Sequence, residues 1–168
     1  DAIAAAGILD TYHRWADRIH MALSYNLTGG QALVQTHADK VWVTPTYHLF
    51  NMYKPHRNNE AVEIEMECES IEVGQEEGNS DFFGSLSVAR DQPLSCLTSS
   101  ASVNAAGSEV ILSVTNRHLT DEIEAQIALE GANKPVSGTL TLLAAKEIRD
   151  SAAGMAANAT CHDREMST

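Results

Sequence analysis

Two segments near the amino terminus decide the fold: ADRIHMALSYN at residues 16–26 and VTPTYHLFNMY at residues 43–53. In the first, apolar side chains at positions 19, 21, 23 and 25 alternate with others, which is typical of a strand over residues 18–25. In the second, Thr44 and Pro45 are residue types preferred at the N-cap and at the first position of a helix. The sequence therefore predicts a strand and, after a polar connection, a helix that ends before Pro55.

The segments on either side extend this pattern. Residues 1–15 are rich in alanine, and their larger apolar side chains recur at helical spacing: Ile3, Ile8, Tyr12 and Trp15. This spacing predicts an amphipathic helix that leads directly into the strand, as in α/β folds. Between the strand and the second helix, residues 32–36 and 41–44 flank a polar tetrapeptide, which predicts a β-hairpin.

From residue 60 onward the chain has the pattern of an all-β domain. Val62, Ile64, Met66 and Cys68 alternate with four glutamates, which predicts a strand with one apolar and one solvated face and a break near Ser70. Further strands are predicted at residues 84–89, 97–103, 109–116, 122–129 and 138–144. Residues 151–168 have no usable period. Several short strands separated by turns favour an antiparallel β-sandwich or jelly roll.

Composition limits the class of partner. Hydrophobic residues make up 43% of the 168 residues, which is enough for a packed core, and 11 basic against 23 acidic residues give a formal net charge of −12. This charge disfavours nucleic acid and anionic membrane surfaces, so we expect neither as a partner. The cysteines, Cys68, Cys96 and Cys161, are widely spaced without a CxxC motif, which predicts free thiols in a reducing compartment.

The entry to the strand, Ala16-Asp17-Arg18-Ile19, and the start of the helix, Thr44-Pro45-Thr46-Tyr47-His48, resemble the last strand and last helix of the catalytic barrel in glycoside hydrolase family 51, the α-L-arabinofuranosidases. The resemblance implies a mixed α/β and then all-β chain. Residues 1–56 would be the terminal helix-strand-helix piece of a (β/α)8 barrel, and residues 57–168 an antiparallel β-sandwich.

The resemblance also implies a parent enzyme. Such an enzyme removes terminal α-L-arabinofuranosyl residues with retention of configuration, through two glutamates on barrel strands earlier than any present here. No residue of this sequence matches either glutamate, so we expect no catalytic residue in this chain and no activity from it alone. Family members commonly place a glutamine at the end of the eighth strand. The matching residue is Asn26, which we expect either to contact substrate or to end the strand by bonding local backbone.

The partners implied by the resemblance are an arabinose-containing oligosaccharide bound by the parent enzyme, the missing barrel segment, and further copies of the protein in a homo-oligomer. The family and the unpaired cysteines favour the cytoplasm. An alternative function is a non-catalytic β-sandwich module with a structural or carbohydrate-binding role. No cofactor is expected.

Other groups of polar residues are weaker candidates for sites. His13, Asp17 and His20 could suggest metal ligands, but the change of period near Ala16 separates them, so we expect no metal. Glu63, Glu65, Glu67 and Glu69 are expected on a solvated strand face that discourages edge pairing. His48 and His56 have no carboxylate at a useful spacing, which favours packing or solvent exposure. No nucleophile-elbow motif indicates a Ser-His-Asp hydrolase.

Overall fold

The computed structural model describes residues 2–23, 27–28, 32–71, 93–118, 120–131, 136–144 and 160–167. The helical elements are α1 (Ala2–Arg14), α2 (Pro45–Met52) and the single 3-10 turn η1 (Lys54–His56). The strands are β1 (Val34–His37), β2 (Lys40–Val43), β3 (Glu60–Val62), β4 (Ser70–Ile71), β5 (Leu94–Ser95), β6 (Leu97–Val103), β7 (Val110–Asn116), β8 (Ser137–Ala144) and β9 (Thr160–Ser167). They pair antiparallel as β1-β2, β3-β6-β7, β4-β5 and β8-β9.

The amino-terminal helix is confirmed, but its large apolar side chains do not form its buried face. Helix α1 packs against β6, β7 and α2, and its buried residues are Ala6, Leu9 and Asp10. The larger side chains are exposed: Ile3 by 43%, Ile8 by 52%, Tyr12 by 36% and Trp15 by 47%. Small side chains on the inner face allow the helix backbone to lie close to the sheet.

The predicted hairpin and second helix are confirmed. Strands β1 and β2 pair from Val34↔Val43 to His37↔Lys40, and Ala38 in the turn has φ of 51°. The Thr44 hydroxyl accepts a hydrogen bond from the Tyr47 amide at 3.3 Å and donates one to the Leu33 carbonyl at 3.1 Å. One side chain therefore caps α2 and ties it to the segment before β1.

The strand predicted at residues 18–25 is not formed over its described part. Residues 19–23 are in neither a helix nor a strand, and Met21 and Leu23 are exposed by 73% and 81%. Residues 24–25 lie outside the described residues. A strand requires a neighbour to accept and donate its ladder hydrogen bonds, and no described segment pairs with residues 19–23.

The predictions for the β region were partly right. Strand β6 has the predicted bounds, while β7 and β8 differ from the prediction by one residue at one end. The long strand predicted from residue 62 is wrong, because only β3 and the short β4 form there and residues 63–69 have no ladder. The strand predicted at residues 122–129 is also wrong. Residues 84–89 lie outside the described residues. Alternation of apolar and polar side chains indicates a half-buried surface, whereas a strand also needs a neighbouring strand with which to form hydrogen bonds.

Strand β9 was missed within residues 151–168, where no period was recognised. It pairs with β8 in an unbroken register from Ser137↔Ser167 to Ala144↔Thr160. The β9 sequence, TCHDREMS, is mostly polar. Backbone pairing with β8 does not depend on apolar alternation, which explains why the periodicity gave no signal.

Two groups of residues form the described core. Ala6, Leu9, Leu49 and Tyr53 make an apolar cluster between α1 and α2. Strand β6 is buried at the six consecutive positions 97–102, because it lies between β3 and β7 in its sheet and is covered on both faces. Helix α1 packs on one face, and Met66 approaches the other, where the Ser99 hydroxyl lies 3.6 Å from its sulfur. Four of the six buried β6 residues are Ser or Thr, so this sheet needs polar partners.

We predict that Thr44→Ala lowers the free energy of unfolding by about 1 to 2 kcal/mol, because it removes the helix cap and the bond to Leu33 together. Thr44→Ser, which retains the hydroxyl, is the matched control and should cost less than half as much. Urea unfolding followed by circular dichroism measures both. Equal losses in the two variants would contradict the assignment of stability to the hydroxyl.

Candidate functional site

Among the described residues, those selected from the sequence do not converge on one site. Asn26 lies outside the described residues, so its contact with substrate stays a prediction. His13 contacts the sheet through Ser100, whereas Asp17 pairs with its exposed neighbour Arg18 at 3.4 Å and His20 is exposed. Within the described part of the chain, no group of three or more His, Cys, Asp or Glu residues could hold a metal ion.

The structure instead brings polar side chains together between the helices and the sheet. Asp10 of α1 is 0% exposed. Its Oδ1 accepts hydrogen bonds from the Tyr53 hydroxyl at 2.7 Å and from the Ser100 hydroxyl at 2.8 Å. Tyr53 follows α2 and Ser100 lies on β6, so a single carboxyl oxygen joins three elements of the chain.

His13 extends this network from α1. Its Nδ1 lies 2.9 Å from the Ser100 hydroxyl. Because Ser100 has one hydroxyl proton and donates it to Asp10, His13 must donate its Nδ1 proton to Ser100. The hydrogen bonds of Ser100 therefore assign the neutral tautomer of His13 as the one that carries its proton on Nδ1.

His56, at the end of η1, connects the helical layer to two strands. Its Nδ1 lies 2.9 Å from the Ser102 hydroxyl on β6, and its Nε2 lies 2.8 Å from the Ser113 hydroxyl on β7. A neutral imidazole has one donor and one acceptor, so one serine accepts and the other donates. Both ring nitrogens of this buried histidine are therefore satisfied.

The aromatic rings of this network are packed together. The ring centroids of His13 and His56 are 4.6 Å apart, and the Tyr53 ring lies 5.5 Å from each. We call the whole set the interface cluster; its members are Asp10, His13, Tyr53, His56, Ser100, Ser102 and Ser113. It contributes hydrogen bonds and ring contacts where a helix–sheet interface usually has aliphatic side chains.

Burial shifts the protonation equilibria of the cluster. Desolvation, reinforced by the neighbouring His13, lowers the pKa of His56 to about 4, although Asp10 opposes this effect. Desolvation also lowers the pKa of His13, again against Asp10. Burial and the hydrogen bond to Asp10 raise the pKa of the Tyr53 phenol. Both imidazoles are therefore neutral at pH 7.

The order of contacts argues against nucleophilic catalysis by this cluster. In a Ser-His-Asp triad the histidine lies between the carboxylate and the serine, so that it can take the serine proton. Here Ser100 lies between Asp10 and His13 and donates its proton to the carboxyl group. Ser100 is also 2% exposed, so a substrate would not reach it. The geometry suits a structural contact between layers.

A second feature of this region is the outer face of α1, formed by Ile8, Tyr12 and Trp15. These positions fall on one side of the helix at 100° per residue, opposite the buried Ala6 and Asp10, while the buried Leu9 lies between the two sides. The guanidinium of Arg18 lies 4.9 Å from the Trp15 ring centroid. Met21, Leu23 and Leu27 follow as further exposed apolar side chains. An exposed apolar surface of this kind indicates an interaction surface.

Sequence reasoning missed most of the interface cluster. His56 was expected to pack or to face solvent, and Asp10, Tyr53 and Ser100 were not considered as a group. One usable signal was present: Thr98, Ser100 and Ser102 place hydroxyls at alternate positions of a predicted strand. Alternating hydroxyls on a strand that is buried on both faces require polar partners from another element.

The family model for the alpha-L-arabinofuranosidase C-terminal domain matches residues 1–164. The chain belongs to this family. The family named from residues 16–26 and 43–53 is thereby confirmed. An intracellular exo-alpha-L-arabinofuranosidase of Bacteroides ovatus is 34% identical over 74 residues, which make up 44% of this chain and 14% of that protein.

Solved structures are similar over the full chain. The alpha-L-arabinofuranosidase of Thermotoga maritima, solved as an arabinose complex, matches with a TM-score of 0.78 and 17% identity. The thermostable GH51 alpha-L-arabinofuranosidase of Thermotoga petrophila RKU-1 matches with a TM-score of 0.78 and 19% identity. Each match covers 100% of this chain and 34% of the solved chain. This arabinofuranosidase C-terminal domain therefore spans about a third of the length of those relatives and shares their fold there.

No helix among the described residues is long and apolar enough to cross a bilayer. Of the three cysteines, Cys68 and Cys96 are free thiols, as predicted, and the side chain of Cys161 lies outside the described part.

We predict that Tyr53→Phe lowers the free energy of unfolding by about 1 to 3 kcal/mol, because it removes one of the two donors to a fully buried carboxyl oxygen. Tyr47→Phe is the matched control, since Tyr47 is exposed on α2, and it should change stability by less than about 0.5 kcal/mol. Urea unfolding monitored by tryptophan fluorescence measures both. Equal effects of the two substitutions would show that the hydrogen bond of the Tyr53 hydroxyl does not contribute to the free energy of unfolding.

Proposed function

We propose that this domain is the carboxyl-terminal part of a glycoside hydrolase that removes terminal α-L-arabinofuranosyl residues from arabinose-containing saccharides with retention of configuration. The catalytic glutamates would lie on the remaining barrel strands, outside this chain. Membership of the arabinofuranosidase C-terminal domain family supports the enzyme class. The similarity to about a third of solved arabinofuranosidases supports a role as one part of a larger enzyme.

The observation that carries this proposal is that α1 has apolar side chains on both its buried side and its exposed side. Its buried side packs on α2 through Ala6 and Leu9 and on the sheet through the interface cluster. Its outer face is apolar and exposed. A surface helix of a complete small domain normally directs polar side chains outward. Apolar residues on both sides suit a helix that lies between a β-sandwich and the rest of a barrel.

The exposed segment after α1 supports the same partner. Residues 19–23 have no ladder partner among the described residues, and Met21 and Leu23 are largely exposed. In the proposed parent these residues form the eighth barrel strand, and neighbouring strands supply the missing hydrogen bonds. Residues 1–56 then belong to the barrel and residues 57–168 to the sandwich, with the interface cluster between them.

We also propose a substrate contact, an assembly state and a compartment for the parent enzyme. Asn26 contacts the sugar at the carboxyl end of the eighth strand, where active sites of such barrels lie. The parent assembles as a homo-oligomer, as the family resemblance implies. It acts in the cytoplasm, which agrees with the Bacteroides ovatus relative being named intracellular.

Activity measurements with and without the upstream segment test the proposal. The isolated chain is expected to show no turnover of an aryl α-L-arabinofuranoside, because it lacks the two carboxylates that the reaction needs. The full-length parent is expected to turn over the same substrate. Turnover by the isolated chain, or its absence in a folded parent, would contradict the assignment.

Whether the barrel covers the outer face of α1 can be tested by measuring one double variant in the parent enzyme and in the isolated chain. Ile8→Ser combined with Trp15→Ser should destabilise the parent by roughly 3 kcal/mol or more, since both side chains become buried against the barrel. The same pair should change the isolated chain by less than about 1 kcal/mol. Thermal unfolding of both proteins measures the difference.

Val41→Ser provides the control for this comparison, because Val41 is 70% exposed on the hairpin. It is expected to have the same small effect in the parent and in the isolated chain. Equal effects of the Ile8 and Trp15 substitutions in both contexts would show that the barrel does not cover this face.

A carbohydrate-binding module is the second candidate function, and the exposed Tyr12 and Trp15 favour it. Aromatic rings near a guanidinium, here that of Arg18, can stack on sugars. Affinity electrophoresis of the isolated chain in arabinan separates the two functions. If arabinan retards the isolated chain and Trp15→Ala abolishes this retardation, the carbohydrate-binding function is favoured. If the face serves to contact the barrel in the parent enzyme, arabinan should leave the mobility of the isolated chain unchanged.

A further inference from the structure

The contact between the helical layer and the sheet depends on two neutral histidines. His13 on α1 reaches β6 through Ser100, and His56 on η1 reaches β6 and β7 through Ser102 and Ser113. Their ring centroids are only 4.6 Å apart. Two positive charges at that distance would repel strongly in a buried environment.

We propose that the interface cluster is an acid-sensitive contact: protonation of His13 and His56 releases α1 and η1 from the sheet. The proposal concerns the stability of this domain and does not depend on the activity of the parent enzyme. Its basis is geometric, because the two rings touch each other inside the interface and their hydrogen-bond partners on the sheet are hydroxyl groups.

The charged groups around the pair determine how many protons it can accept. Helix α1 presents Asp10 and also Arg14, which donates to the Ser99 carbonyl at 3.3 Å. The α2–η1 segment presents Tyr53. The partners of the two rings on β6 and β7 are serine hydroxyls. Among the described contacts, Asp10 therefore supplies the single carboxyl group near the two imidazoles.

This imbalance predicts two unequal protonation steps. The first proton is stabilised in part by Asp10, whose carboxyl group is buried in the same cluster. The second proton has no further carboxylate to pair with and is opposed by the first at 4.6 Å. The hydroxyl of Ser102 or Ser113 can rotate to accept from a charged His56, so the main cost is electrostatic.

The direction of the pH dependence follows from the lowered pKa values of both histidines. An unfolded histidine has a pKa near 6.5, so below that pH the unfolded chain binds more protons than the folded chain. The contribution of His56 to stability is complete above pH 6.5. It is lost as the pH falls from 6.5 towards the folded value of about 4.

Urea unfolding of the chain between pH 7.0 and 4.5 tests the proposal against a double variant, His13→Asn with His56→Gln. Both replacements retain polar groups near the serines but do not titrate in this range. The unfolding equilibrium constant of the natural chain should rise at least about tenfold more than that of the double variant, because each unit of lowered pKa corresponds to a factor of ten.

His37→Gln is the matched control, since His37 is exposed on β1; it should follow the natural chain. Parallel pH profiles for the natural chain and the double variant would overturn the proposal. Comparison between variants is required because all of them retain the same 23 acidic residues, which also titrate on acidification.

A measurement on the natural chain covers the case in which the double variant does not fold. NMR titration of the imidazole Cε1 protons should give His13 and His56 apparent pKa values clearly below the value of about 6.5 for an unfolded histidine. Amide exchange of α1, corrected for intrinsic rates, should accelerate between pH 6.5 and 4.5 while that of β8 does not. Values of about 6.5 for both histidines, or uniform acceleration of exchange, would overturn the proposal.

Discussion

The hydrogen bonds of one buried carboxyl group set the arrangement of this domain. Asp10 is fully buried, and its Oδ1 accepts from Tyr53 and Ser100. A buried carboxyl group without any donor would be costly, and Oδ2 has no hydrogen-bond partner among the described residues. Helix α1 can therefore pack on the sheet only where the end of α2 and strand β6 bring the two hydroxyls to Oδ1. The register of β6 and the position of α2 therefore depend on one another through this side chain.

The contact between α1 and β6 is polar, which distinguishes it from the apolar contact between α1 and α2. Apolar contact between α1 and α2 is limited to a few residues around Leu9 and Leu49, whereas the hydrogen bonds to the serines of β6 come from aspartate and histidine side chains. Directional hydrogen bonds select one relative position of two layers, while apolar contacts tolerate several. The proposed position of this domain beside a barrel would require that selectivity, because a small shift of α1 would displace the segment after it.

Sequence patterns predicted elements whose determinants are local. The cap at Thr44 and the turn after His37 were both recognisable, since each depends on residues a few positions apart. Strands β6, β7 and β8 were also recognisable from turn residues and apolar content. The patterns failed at residues 19–23 and 63–69, where alternation is present but a paired strand is absent from the described structure. They also failed at β9, which pairs through its backbone despite a polar sequence.

The sequence by itself determined the family, the helix–hairpin–helix order and most strand positions, because short-range periodicity and caps encode them. Only the tertiary structure decided which face of α1 is buried and which residues donate to Asp10 Oδ1. The partners of this carboxyl group come from positions 43 and 90 residues away along the chain, and no local pattern connects such positions. Large apolar side chains at Ile8, Tyr12 and Trp15 suggested a core face, yet the smaller face packs closer to a serine-rich sheet and is the one that is buried.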